Sequence, residues 1–210
     1  MSLMIAIKEN DCVYLAVDLE CKENKSHSPI VIDEYRLWGT NCRMWKTKGL
    51  ENSFIVCQGN VLMWELTVMM IRSLIPESRA ASGNIDVDFI KKEMLENIVK
   101  ALDGFFGADL TNPDSFMNNE FLFVYKDKIF DILGTKFVNE INDYIAIGFN
   151  SDKAMEILAQ TIGQPVNYRL MRALYAASDS EVRPILITDT NTCEVKEYSR
   201  EDIKKALNVE

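Results

Sequence analysis

A chain that does nucleophilic, acid–base or metal chemistry has to supply the side chains for it, and here the supply is narrow. There is one histidine, His27, set in the polar stretch ENKSHSP. A single loop histidine reads as solvated, and one histidine leaves little for a triad or a histidine-based zinc site. Five cysteines, Cys12, Cys21, Cys42, Cys57 and Cys193, are scattered and form no CxxC pair. They read as reduced thiols of a cytoplasmic protein. Carboxylates are more telling. Asp18 ends an apolar run, where an aspartate can cap a turn. Asp179-Ser180 follows an Ala-rich segment and reads first as a turn. No metal or organic cofactor site is visible, so no cofactor is expected.

The elements that would hold these residues follow from the apolar pattern. Ile5 to Lys8 and Val13 to Val17 read as strands joined by the polar turn Glu9-Asn10-Asp11, a hairpin ending at Asp18. Residues 19–33 read as a long loop and 34–47 as an extended pair. Phe54 to Cys57 reads as a buried strand ending near Gly59. Asn60 to Leu74 is apolar on nearly every face and reads as a helix needing cover on most sides, with Asn60 as N-cap. Asp86 to Phe106 reads as a second helix, with Phe89, Ile90, Met94, Ile98 and Leu102 on its buried face. Phe121 to Tyr125 and Lys128 to Leu133 flank Lys126-Asp127 as a hairpin. Tyr144 to Gly148 reads as a strand, and Lys153 to Ile162 and Asn167 to Ser178 as helices parted by Gly163 and Pro165. Two closing strands, Pro184 to Thr188 and Glu194 to Tyr198, precede a short helix from Arg200 to Leu207. Strands, two helices, strands, two helices, strands imply an α+β fold. Its simplest packing is a four-layer αββα sandwich, two stacked antiparallel sheets flanked by helix pairs.

The bulk numbers are consistent with one domain over residues 1–210. Hydrophobic residues make up 48% of the chain and charged residues 26%, a globular balance. The net charge of -9 argues against nucleic acid and against an anionic membrane surface. No apolar run approaches the ~20 residues that span a bilayer. The start carries no signal-peptide pattern. Met1-Ser2-Leu3 reads as an expression leader ahead of Met4, and Met4 is the expected natural start.

Several segments resemble one family in the right order. MIAIKENDCVYLAVD at 4–18 resembles the opening hairpin of proteasome β-subunits and of the bacterial HslV protease. VCQGN at 56–60, running into an apolar helix, is similar to that family's strand, glycine turn and first helix. DYIAIGFNSDKAMEIL at 143–158 looks like its Ile-Gly turn and following helix, and RLMRALYAASDSEVRPILITDT at 169–190 like the next helix, acidic turn and strand. The resemblance implies the N-terminal-nucleophile hydrolase fold. In such enzymes a hydroxyl at the chain start attacks a peptide carbonyl, with the α-amine or a lysine as base.

Carried over residue by residue, the resemblance puts the nucleophile position on Ser2, which exists only if Met1 is the start. Asp18 matches the aspartate that orients the family's lysine, and Asp179 the acidic residue near the nucleophile's amine. The lysine position itself falls on Arg43, with Lys46 three residues on. Arginine stays protonated and cannot act as a base. The family's serine after Ile-Gly is Phe149, whose ordinary reading is core packing. Gly39-Thr40 resembles a processing junction, but cleavage there would discard the first hairpin, and that reading is rejected. These departures imply a catalytically deficient subunit that assembles with itself or with related chains. An active peptidase acting on peptide substrates through Ser2, supported by Asp18 and Asp179, is the alternative.

Overall fold

The computed structural model describes residues 3–18, 44–46, 52–58, 84–97, 100, 120–133, 137–178 and 182–209. The first hairpin sets the frame. Strands β1 (Leu3–Glu9) and β2 (Cys12–Asp18) pair antiparallel from Met4 opposite Val17 to Glu9 opposite Cys12. The turn between them places Asn10 and Asp11 at φ 52° and 57°. Two successive left-handed residues match the twist of the flanking strands, and Asn and Asp tolerate that conformation best after glycine.

Nearly every residue of this hairpin is buried, because both of its faces are covered. Side chains alternate along a strand. Met4, Ala6, Val13, Leu15 and Val17 pack with Phe54, Val56, Leu122, Val124 and Ile129 of a second sheet. Leu3, Ile5, Ile7 and Ala16 turn the other way and pack with Leu158, Leu170, Leu174 and Ile203 of the helices. Burying each large apolar side chain contributes about 1.5–3 kcal/mol, so a strand apolar on both faces is stable only inside such a sandwich.

The first sheet runs β10-β9-β2-β1-β8 and the second β3-β4-β5-β6-β7, with every pairing antiparallel. The second sheet holds β3 (Met44–Lys46), β4 (Ser53–Gln58), β5 (Glu120–Tyr125), β6 (Lys128–Leu133) and β7 (Phe137–Ile141). The first adds β8 (Tyr144–Gly148), β9 (Ile185–Asp189) and β10 (Lys196–Tyr198). At one end the sheets are tied by Lys8, whose Nζ meets Asp127 Oδ2 at 3.1 Å.

Between β4 and β5, Asp86 caps a helical turn, α1 (Val87–Phe89), by accepting the Phe89 N–H at 2.8 Å. The helix expected here as regular continues as a π-helical stretch, Ile90–Leu95. The buried residues Phe89, Ile90, Met94 and Leu95 recur five apart, which suits the wider π turn. This stretch touches β7. The face of the second sheet turned away from the first is buried as well, through Ile55, Phe121, Phe123, Phe130, Ile132 and Val138.

Helices α2 (Ser151–Gln160), α3 (Val166–Ala177) and α4 (Arg200–Leu207) cover the outer face of the first sheet. Gly163, at φ 86°, turns the chain between α2 and α3. The molecule is therefore α+β, with two stacked antiparallel sheets and helices packed on them. The strand β7 was not expected from sequence, since the segment FVNEI has one fully buried side chain, Val138, and little alternation. The helix expected over Asn60 to Leu74 and the loop over 19–33 lie outside the described residues. Leu3, grouped with a leader on sequence grounds, is a buried residue of β1.

Candidate functional site

Four strands of the first sheet meet at one end. Register sets Leu3 opposite Gly148 and Asp18 opposite Ile185. Asp18 is the last residue of β2 and shares the face of Ala16, which looks toward the helices. It is 7% exposed. Its two oxygens are both engaged: the Leu3 backbone N–H donates to Oδ1 at 2.7 Å, and Arg183 Nη1 donates to Oδ2 at 3.3 Å. The Arg183 side chain is 22% exposed. This is a charge-assisted pair between the end of β2 and the approach to β9, and it holds the first residue of β1 in place.

The space around the pair is small. Met171, Leu174, Tyr175, Ser178, Val182 and Ile203 close over it, leaving a cavity of about 10 Å³, the room of a single water. Asp18 faces an apolar helix layer with the Arg183 guanidinium beside it. That geometry suits fixing strand ends.

The sequence-derived site residues divide as follows. Asp18 stands at the end of β2, as expected. Ser2, Arg43 and Asp179, with Ser180, lie outside the described residues, as does the Lys46 side chain. Gly39-Thr40 also lies outside them. Phe149 differs from its expected core role. It is 36% exposed, because it follows Gly148 at φ 110° and precedes Asn150 at φ 55°. Two left-handed residues around it throw its side chain off the strand alternation. Asn150 Nδ2 donates to the Ala177 carbonyl at 2.7 Å, tying the end of β8 to the C-terminus of α3.

Three further residues at this end of the molecule were missed. Arg183 sits in SEVRPIL, just before a strand. Its signal was a lone cation beside Pro184 ahead of an apolar run. Glu120 and Asp131 lie on the face of the second sheet that looks toward the first, diagonal to each other across β5 and β6. Their signal was a break in alternation: each carries a charge on the face that Leu122, Val124 and Ile129 fill with apolar groups. Burial raises the Glu120 carboxyl from 4.5 to about 7, helped by the Asp131 charge. Burial also raises Asp131, against a hydrogen bond from Asn139. Leu133 and Phe137, paired across β6 and β7, complete this end and are 45% and 56% exposed.

No family model matches the chain, and no curated protein matches it. Solved structures do: 575 chains match, so the architecture is widely shared and says little about activity by itself. One, described as Thiobacillus denitrificans BPH, superposes with a TM-score of 0.59 over 89% of this chain and 96% of its own, at 12% identity. At that identity the likeness is one of fold.

Proposed function

We propose that this chain is a proteasome-like subunit, of the N-terminal-nucleophile hydrolase fold, that assembles with copies of itself or with related chains and does not cleave peptides. The observation that carries the reading is the state of Asp18. The position matched to the family's lysine-orienting aspartate accepts the Leu3 N–H and pairs with Arg183, an arginine and not a lysine. An aspartate so held is a strut. Two sequence departures support the same reading: Arg43 stands where a basic lysine is needed, and Phe149 where a hydroxyl is needed. The exposed apolar side chains Leu133, Phe137 and Phe149 support assembly, since their cover would come from another chain.

Two measurements on the purified full chain test this. The first is hydrolysis of a panel of fluorogenic peptides, alongside Ser2→Ala. Turnover that disappears in Ser2→Ala would establish an active peptidase and overturn the reading. The second is native mass at micromolar concentration. A particle of several chains is expected, and a single-chain mass would remove the assembling role.

A further inference from the structure

β10 (Lys196–Tyr198) ends the first sheet, beyond β9. Lys196 and Tyr198 stand opposite Ile187 and Ile185, which belong to the core under the helices, so both look toward the helix layer. Glu197 stands opposite Leu186, which packs between the sheets, and looks the other way. All three nevertheless line one groove of about 750 Å³. A groove that meets successive strand residues from both faces runs along the strand's edge, where the N–H and C=O groups of alternate residues point. Its other wall is α4, which contributes Asp202, Lys205 and Ala206 from one stripe of the helix, with the buried Met171 of α3 beside them. Ser199 fixes the corner between strand and helix: its N–H donates to Asp202 Oδ2 at 3.0 Å, and the Asp202 N–H donates to its Oγ at 3.2 Å. The groove is therefore pre-formed.

Its shape fits an added strand. An extended chain takes about 3.3 Å of length per residue, about 4.8 Å of width beside its neighbour and about 10 Å of depth between layers, so a groove of about 750 Å³ holds about four to five residues. A second copy of β10 is disfavoured there. Two-fold antiparallel pairing centred on the strand sets Glu197 opposite its own counterpart, and like charges directly opposite destabilise a pair. On the helix side, Lys196 and Lys205 present exposed ammonium groups, while the Asp202 carboxylate is taken by Ser199. We propose that the edge of β10 is a docking site for an extended segment of another protein. The segment pairs antiparallel with Lys196–Tyr198, as every other pair in this sheet does. From its N-terminus it reads apolar, basic, acidic: apolar against Tyr198, basic against Glu197, and acidic between Lys196 and Lys205. The groove is built on the first sheet, whereas Leu133 and Phe137 lie on the second, so docking here is independent of the assembling role.

The test uses the purified full chain and a labelled peptide, Thr-Phe-Lys-Glu-Thr with blocked ends, followed by fluorescence anisotropy and by amide exchange at residues 196–198. Saturable binding and slowed exchange at the edge-facing amides of β10 are expected. Lys196→Glu alters an exposed side chain and should leave the thermal midpoint unchanged. It should weaken binding about fivefold, the scale of one cross-strand charge pair, and a peptide with lysine in place of its glutamate should restore the affinity. Methylating the peptide's backbone nitrogens should abolish binding, because the ladder then loses its donors. No saturation by about 1 mM peptide, equal binding of the methylated peptide, or a charge reversal that the matched peptide does not rescue would each overturn the docking site. So would slow exchange at those edge-facing amides before peptide is added, which would mean that this chain or a second copy already occupies the edge.

Discussion

Asp18 and Arg183 carry a buried charge pair whose worth lies in what breaking it leaves behind. Arg183→Met keeps most of the side-chain bulk but removes the guanidinium beside a carboxylate that is 7% exposed. Stranding one partner of a buried pair costs about 3–5 kcal/mol, and partial solvent access to Arg183 argues for the low end, about 3 kcal/mol. Urea denaturation checks this. A shift below about 0.5 kcal/mol would mean that the pair is solvated like a surface ion pair. Pairing Arg183→Met with Asp18→Asn should recover part of the loss, because the neutral amide leaves no charge to strand. At the same scale, Asp18→Asn is expected to leave peptide hydrolysis at its background level, as a strut would. A change in hydrolysis would put Asp18 back in a catalytic role.

The elements show which local rules decided the frame. The first hairpin depends on Asn10 and Asp11 holding left-handed φ values. A β-branched residue pays the full steric cost there, so Asp11→Val should lower stability by about 1–2 kcal/mol. Asp11→Gly should be neutral or stabilising, and equal thermal midpoints for the two variants would show that the turn relaxes. The strand β7 and the π-helical stretch Ile90–Leu95 were the elements that sequence pattern misjudged. Both depend on neighbours: β7 is an edge strand held by β6, and the π turn presents Phe89, Ile90, Met94 and Leu95 together. Neither preference is written in a propensity.

At the scale of the whole molecule, four large apolar side chains are exposed among the described residues, and three of them, Leu133, Phe137 and Phe149, lie at the end of the sandwich that also holds Asp18, Glu120 and Asp131. Under the assembling reading, Phe137→Ser or Phe149→Ser should shift the native mass toward a single chain without lowering the thermal midpoint of the monomer. Exposed residues contribute little to the monomer's core, so a large loss of stability would mean that they are covered within one chain. No helix among the described residues is long and apolar enough to cross a membrane.

Sequence by itself determined the hairpins, the helices α2 to α4 and the α+β order, because those depend on contacts between near neighbours. The unbroken apolar runs in MIAIKENDCVYLAVD require two covered faces, and Asn10-Asp11 requires a turn, whatever lies around them. It also placed Asp18 at a strand end, but could not choose between a capping role and an orienting one. Tertiary structure supplied a partner that the sequence did not point to, because Arg183 stands 165 residues away in sequence and reaches Asp18 through the pairing of β2 with β9. Tertiary structure likewise decided that Phe149 faces outward and that Glu120 and Asp131 share a corner. In a strand, a shift of one residue exchanges the two faces. Which face is the core is settled by what stacks on it, and in this chain the stacking partners come from distant segments.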